Sequence, residues 1–183
     1  MFPLPPAQTL TTMTALIRID RSFTAEGGER PRPIRFCSRC GRPSEEPPQR
    51  PDLRGRVCRR CGMGLMLTCS RDALPGDAAA FLIANFDLTV SAVSEAGERI
   101  FGAEQSLVGM PLLELVGSPL GDEHFARHVG RAAQRACDPV VMPVRLHSAH
   151  GSRWTGTMAA RIATCGPPRA ALVTVEPTEF GRR

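Results

Sequence analysis

From Ala80 onward the hydrophobic positions change period several times, and the changes lay out the elements. The stretch "FLIAN" (81–85) is a short apolar run; Leu88, Val90 and Ala92 then alternate with Thr89 and Ser91, the period-two mark of a half-buried strand. With residues 85–88 as the turn, the two runs predict a hairpin. Ser94 predicts the cap of a short helix over 95–101 that ends at Gly102, and "SLVGMPLLELVG" predicts further helical turns bounded by Gly109, Pro111 and Gly117. The longest helix is predicted over about 122–136. Phe125, Val129, Ala132, Ala133 and Ala136 share one of its faces, Asp122 and Glu123 suit the positive end of its dipole, and Arg127, Arg131 and Arg135 face water. Three strand-like runs follow, "VVMPVRLH", "RWTGTMAARIA" and "RAALVTVE", separated by turn clusters at 150–152 and 165–168. The first points Val140, Met142, Val144 and Leu146 inward, the second Trp154, Gly156, Met158, Ala160 and Ile162. Two strands, short helices, one longer helix and three strands predict an α+β domain, a five-stranded antiparallel sheet with helices on one face.

Before Ala80 the pattern is of another kind. Nine of the 17 Pro of this 183-residue chain lie before Arg71, in "FPLPP", "RPRP" and "EEPPQRP" among others, and favour extended, solvated backbone over a packed core. Residues 1–35 therefore read as a mostly disordered basic arm, although "ALIRI" (15–19) alternates enough for a short strand. The turn cluster Leu74-Pro75-Gly76-Asp77 marks a boundary. The expected organisation is an arm over 1–35, a cysteine module over 36–70, a linker over 71–79, the main domain over 80–177 and a tail over 178–183, with the module and the main domain folding independently. No apolar run approaches the roughly 20 residues a membrane helix needs. The N-terminus lacks the basic start and apolar centre of a signal peptide, so a cytoplasmic, reducing setting is expected.

Two cysteine pairs carry the chemistry. Cys37-Ser38-Arg39-Cys40-Gly41 and Cys58-Arg59-Arg60-Cys61-Gly62 stand with residues 41–57 between them. A two-residue spacer lets both thiolates of a pair reach one ion from a tight turn, and the glycine after each pair suits a chain leaving that turn at positive φ. Cys37, Cys40, Cys58 and Cys61 thus predict a closed, structural zinc site of the zinc-ribbon kind, without an open position for catalysis. Iron in a similar cage would lack the aromatic residues that usually shield it, and a redox dithiol would need only one pair. Cys69, Cys137 and Cys165 read as ordinary free thiols.

Charge adds one asymmetry. The net +5 divides into +6 up to Ser70, from 12 Arg and 6 acidic residues, and −1 beyond it, from 11 Arg and 12 acidic residues. All 23 basic residues are Arg, which suggests a GC-rich, Arg-coding genome. Four thiolates and one Zn²⁺ add about −2, and no aromatic residue is interleaved with the module's arginines to stack on bases. Solvation of a small domain is the plainer role for Arg39, Arg42, Arg59 and Arg60; contact with nucleic acid through these four residues, or an acidic protein partner, are the alternatives.

The segment "FLIANFDLTVSAVSEAGERIFGAEQSLVGMPLLELV" resembles PAS sensor domains, and the resemblance extends over about 80–176. An acidic hairpin turn matches Asn85 and Asp87, a helix ending in Phe-Gly matches Phe101-Gly102, and a Val-Gly-x-Pro-Leu segment matches 108–112. Ser94 stands where the family often has Asn, and Leu88 where its hairpin turn often has Gly. The resemblance implies a PAS-like sheet, a sensory or interaction role without catalysis, and a homodimer or a partner protein. It also implies a small ligand near His128, Phe125, Trp154 and Met158. The flavin-binding Asn-Cys-Arg-Phe segment is absent. Haem-binding members carry an axial His on the long helix, but His128 lies about 60° and His124 about 100° from the middle of the apolar face, so both read as surface residues and haem is not expected. No nucleophile elbow, phosphate-binding Gly-rich loop or converging carboxylate pair supports an enzyme. With little chain after the last strand for an output domain, a signal is expected to pass through another chain. The reading is a cytoplasmic sensory or adaptor protein with a zinc ribbon fused to a PAS-like domain; the alternative is a transcription regulator touching nucleic acid through the ribbon.

Overall fold

The computed structural model describes residues 33–44, 56–147 and 158–177, all within one compact unit. Residues 1–32 of the arm with the expected strand at 15–19, Trp154 and Gly156, and the tail lie outside the described residues. Three short strands carry the cysteine module: β1 (Ile34–Cys37), β2 (Pro43–Ser44) and β3 (Met66–Cys69). The predicted hairpin forms as β4 (Ala80–Ala84) and β5 (Val90–Val93), with a register shift between Ile83 and Ala84. Helix α1 (Glu95–Phe101) starts where Ser94 Oγ accepts the Gly97 N–H at 2.9 Å and stops at Gly102, whose φ is 112°. Then come α2 (Glu104–Leu107), a 3-10 turn at Leu112–Glu114, β6 (Val116–Gly117) and α3 (Asp122–Gln134). Three antiparallel strands close the chain: β7 (Val140–Leu146), β8 (Met158–Gly166) and β9 (Ala170–Pro177).

All these strands join one antiparallel network of nine among the described residues, larger than the five expected. Its path runs β2-β1-β3-β8-β9-β4-β5, while β7 pairs with the other half of the β8 edge that β3 uses. Strand β8 is the branch point. Along one edge it pairs with β9 from Met158 to Cys165; along the other, Met158–Ile162 meet β7, and Cys165 and Gly166 meet Cys69 and Thr68 of β3.

The sheet is covered on both faces. Leu82, Ala84, Ala160, Ile162, Val173 and Val175 face the helices, where Phe101, Leu107, Leu112, Phe125 and Val129 fill the larger core. The alternate residues Phe81, Ile83, Ala163, Cys165 and Leu172 face the cysteine module and meet Phe36, Leu67, Cys69 and Ala73 in a second core. This is why "AFLIA" of β4 is an unbroken apolar run and "AALVTV" of β9 is broken only by the buried Thr174: period-two alternation survives only where one face sees water. Residues 71–79, expected as a linker, hold a 3-10 turn at Arg71–Ala73 with Ala73 buried in that second core. Independent folding of the two parts does not fit this packing, because both contribute buried residues to the second core, Phe36, Leu67 and Cys69 from the module and the larger share from the main domain. Cys165, expected in a turn, lies in β8, opposite Cys69 of β3.

Phe36 is the largest piece the module contributes. It is fully buried, and its ring meets Phe81 edge to face at a centroid distance of 6.0 Å. Burial of such a ring contributes about 2–3 kcal/mol, and the edge-to-face geometry adds to that. Phe36→Ala is expected to destabilise the whole unit by about 3–5 kcal/mol in urea unfolding followed by circular dichroism, and in one transition. Two transitions, with the later one at the parent midpoint, would show that the second core is not shared.

Candidate metal centre

The four cysteines meet through two matching turns. At the end of β1, Gly41 N–H donates to Cys37 O at 3.0 Å; before β3, Gly62 N–H donates to Cys58 O at 2.9 Å. Each turn closes on a glycine in the left-handed region, with φ 71° at Gly41 and 70° at Gly62, as the Cys-x-x-Cys-Gly spacing predicts. Backbone N–H groups then point at sulfur: Arg39 N and Cys40 N each lie 3.4 Å from Cys37 Sγ, and Gly64 N lies 3.4 Å from Cys61 Sγ.

The four Sγ atoms all lie within 4.8 Å of one another, with Cys37 to Cys61 at 3.6 Å and Cys40 to Cys58 at 4.0 Å. A tetrahedral thiolate cage with metal–sulfur bonds of about 2.3 Å has sulfurs about 3.8 Å apart, so the arrangement fits a metal ion held by all four residues. Without a cation the cage frustrates its own thiols. Burial drives the Cys37 thiol well above its ordinary range and also raises Cys40, whereas at Cys61 burial is opposed by the backbone N–H groups of Gly64 and Met63 together with Cys37 and Cys58, which bring the thiol down to about 6. A divalent cation removes the conflict by holding every sulfur as thiolate.

Gly64 is a residue that the sequence reading passed over. A Cβ there would collide with Cys37 Sγ and lie 2.9 Å from Arg39 N and Cβ, so the second turn passes the first too closely for any side chain. The two turns are also joined by Ser38, whose N–H donates to Leu65 O at 2.8 Å and whose Oγ accepts the Leu65 N–H at 2.9 Å. The visible signal was the second glycine of Cys-Gly-Met-Gly.

Arg39 does something else than solvate the module. Its guanidinium donates Nη2 to Glu98 Oε2 at 2.9 Å and Nη1 to Glu104 Oε2 at 3.0 Å, and its carbonyl accepts the Glu95 N–H at 2.8 Å. Those carboxylates continue the path: Glu98 Oε1 accepts the Glu104 N–H at 2.9 Å, and Glu104 Oε1 accepts the Val93 N–H at 3.0 Å. The first cysteine turn is thereby fastened to β5, α1 and α2. Nothing in the local sequence marks Glu98 or Glu104 for this, because the contact spans about sixty residues.

Arg42, Arg59 and Arg60 line, with Arg35, a cleft of about 450 Å³ beside Cys58, floored by Val57 and Met66. The residues expected around a small ligand are dispersed. Phe125 and Met158 are buried in the larger core; His128 is half-buried on α3, its ring edge-on to the exposed His124 at 4.7 Å. Burial, then His124, Arg131 and Arg127, hold the His128 imidazole below its usual range. His128, Arg131 and Arg135 rim a cleft of about 380 Å³ with Cys137, Val140 and Ile162 on its walls. No helix among the described residues is long and apolar enough to cross a membrane. No protein-family model and no curated protein matches this chain.

Gly64→Ala is expected to weaken metal binding about 10–100-fold in chelator competition, as loss of a residue that orients ligands does elsewhere; unchanged affinity would contradict the close-approach argument. Burial pushes the Cys69 and Cys165 thiols up to about 12, with each facing the other across β3 and β8. Both are therefore expected to stay unmodified by iodoacetamide at pH 8 in the folded protein and to react in urea. Modification of either within minutes in the folded state would show that the second core opens.

Proposed function

We propose that the protein is a non-catalytic regulatory or adaptor module, in which a structural Zn²⁺ held by Cys37, Cys40, Cys58 and Cys61 organises a ribbon laid on a PAS-like sensory domain. Four thiolates make a soft, closed tetrahedral donor set, which favours zinc and leaves no position for a reacting water. A reducing, cytoplasmic setting keeps such thiolates available.

Several features support the PAS-like reading. Strands β5-β4-β9-β8-β7 lie side by side, and the whole helical segment falls between the second and third of them in the chain. Leu88 takes φ 64° at the hairpin position where the resemblance has Gly. The cleft beside His128 is of a size that suits a small molecule.

The observation that carries the regulatory reading is the chain of hydrogen bonds from the Cys37 turn through Arg39 to Glu98 and Glu104. It gives metal occupancy a direct route to the helices of the sensory domain, which a purely stabilising zinc knuckle does not need. Native mass spectrometry of the full chain is expected to give one zinc per chain. Arg39→Gln is expected to keep that zinc while lowering the protection of α1 and α2 amides from hydrogen exchange. Less than about half a zinc with intact thiols would overturn the metal reading. Unchanged α1 and α2 protection would overturn the coupling.

A further inference from the structure

We infer that α3 presents a phosphodiester-binding face, on which Arg127, Arg131 and Arg135 each contact one backbone phosphate of a nucleic acid without reading its bases. Arg127 and Arg131 lie on α3, and Arg135 is the residue that ends it. At 1.5 Å per residue their Cα atoms follow one another in steps of about 6 Å along the helix axis, turning about 40° per step, so the three charges share one side of the helix and can track a polyanion. All three are exposed, and a shallow groove lined by Arg127, Gly130, Arg131, Gln134 and Arg135 runs along them.

No carboxylate lies within ion-pair distance of the row among the described residues, although Asp138 lines the cleft that Arg131 and Arg135 share. Arg39 is paired with Glu98 and Glu104, and Arg161 with Glu176, whereas none of the three forms an ion pair among the described residues. Even Glu123, one turn before Arg127 on the same side, does not pair with it. Like charges four residues apart weaken a helix, so the row opposes the helix that displays it. The end of the row is nevertheless fixed: Arg169 Nη1 donates to Gln134 O at 2.8 Å and Thr164 Oγ1 to Arg135 O at 2.9 Å.

Two comparisons select the ligand. A protein partner would want apolar or aromatic anchors at the centre of the patch, but α3 exposes no large hydrophobic residue; the nearest are Leu120 before it and Val141 after it. Guanidinium rows without apolar centres suit phosphates, and the exposed Phe86 lies in the turn between β4 and β5, not on α3. The ribbon is the weaker place for such contact. Arg39 is consumed by carboxylates, Arg35 and Arg59 have interactions of their own, and the thiolate centre beside Arg42 and Arg60 carries net negative charge even with a divalent cation.

The test is fluorescence anisotropy of the zinc-loaded full chain with a labelled random-sequence DNA duplex of about 20 base pairs. Three phosphate contacts give a log–log salt slope of about −2.7, a weakening of about 40-fold between 50 and 200 mM salt, and Arg131→Gln should flatten the slope by about 0.9. Replacing Arg127, Arg131 and Arg135 together by Gln should abolish binding. Replacing them by Lys should retain it within about tenfold, since the charges stay. The pair Arg42→Gln and Arg60→Gln should change it less than about threefold. Circular dichroism checks that the exposed substitutions leave α3 folded. The proposal is overturned by no binding at 50 mM salt, by a triple Gln variant that binds like the parent, by loss of binding in the Lys variant, or by polyglutamate binding more tightly than duplex of equal charge. Zinc content and the exchange behaviour of α1 and α2 do not enter this readout, so its failure leaves the metal reading standing.

Discussion

Strand β4 and most of β9 turn neither face to water. Every residue of β4 and the first six of β9 are buried, and a sheet built from such strands is stable in water only if something covers each side. The helices cover one. The other is covered by a layer too small to hold itself together by apolar contacts: β1, β2 and β3 total ten residues, with Phe36 and Leu67 as its main apolar side chains. The four thiolates supply what that layer lacks. A metal ion held by all four would close both cysteine turns, fix the end of β1 and the start of β3, and so hold Phe36 against Phe81.

The same turn carries polar information outward. Arg39 sits between a thiolate and two half-buried carboxylates, and its carbonyl meets the first N–H of α1. Partial burial keeps these contacts from the full screening an exposed pair suffers. In contrast, the arginines of α3 are left to water. The molecule thus uses its one kind of basic side chain in two ways: as an internal fastener where carboxylates converge, and as a row without ion pairs among the described residues where they do not.

Much of this was legible in the sequence. The cysteine spacing located the four-cysteine cluster, Ser94 and Gly102 marked both ends of α1, and the face shared by Phe125, Val129, Ala132 and Ala133 oriented α3. What escaped was contact between distant segments. The polar/apolar alternation of a one-faced strand is absent from β4, and that absence is itself a sign that both faces are buried. The pairing of Cys69 with Cys165 depends on a register between strands almost a hundred residues apart, and the partners of Arg39 depend on where two short helices come to rest. Local pattern specifies neither. The turn at Leu88 shows the converse limit, since φ 64° at a branched side chain is a tertiary override of local preference.

The central claim is that the metal holds the second layer of one fold and does not merely staple an appendage. Hydrogen–deuterium exchange of the full chain, compared between the zinc-loaded form and the form stripped by chelator, tests it most directly. The account predicts lost protection in β1 and β3 together with β4, β8 and β9, whose second face the stripped layer no longer covers. Loss confined to residues 34–69, with β4, β8 and β9 protected as before, would contradict it.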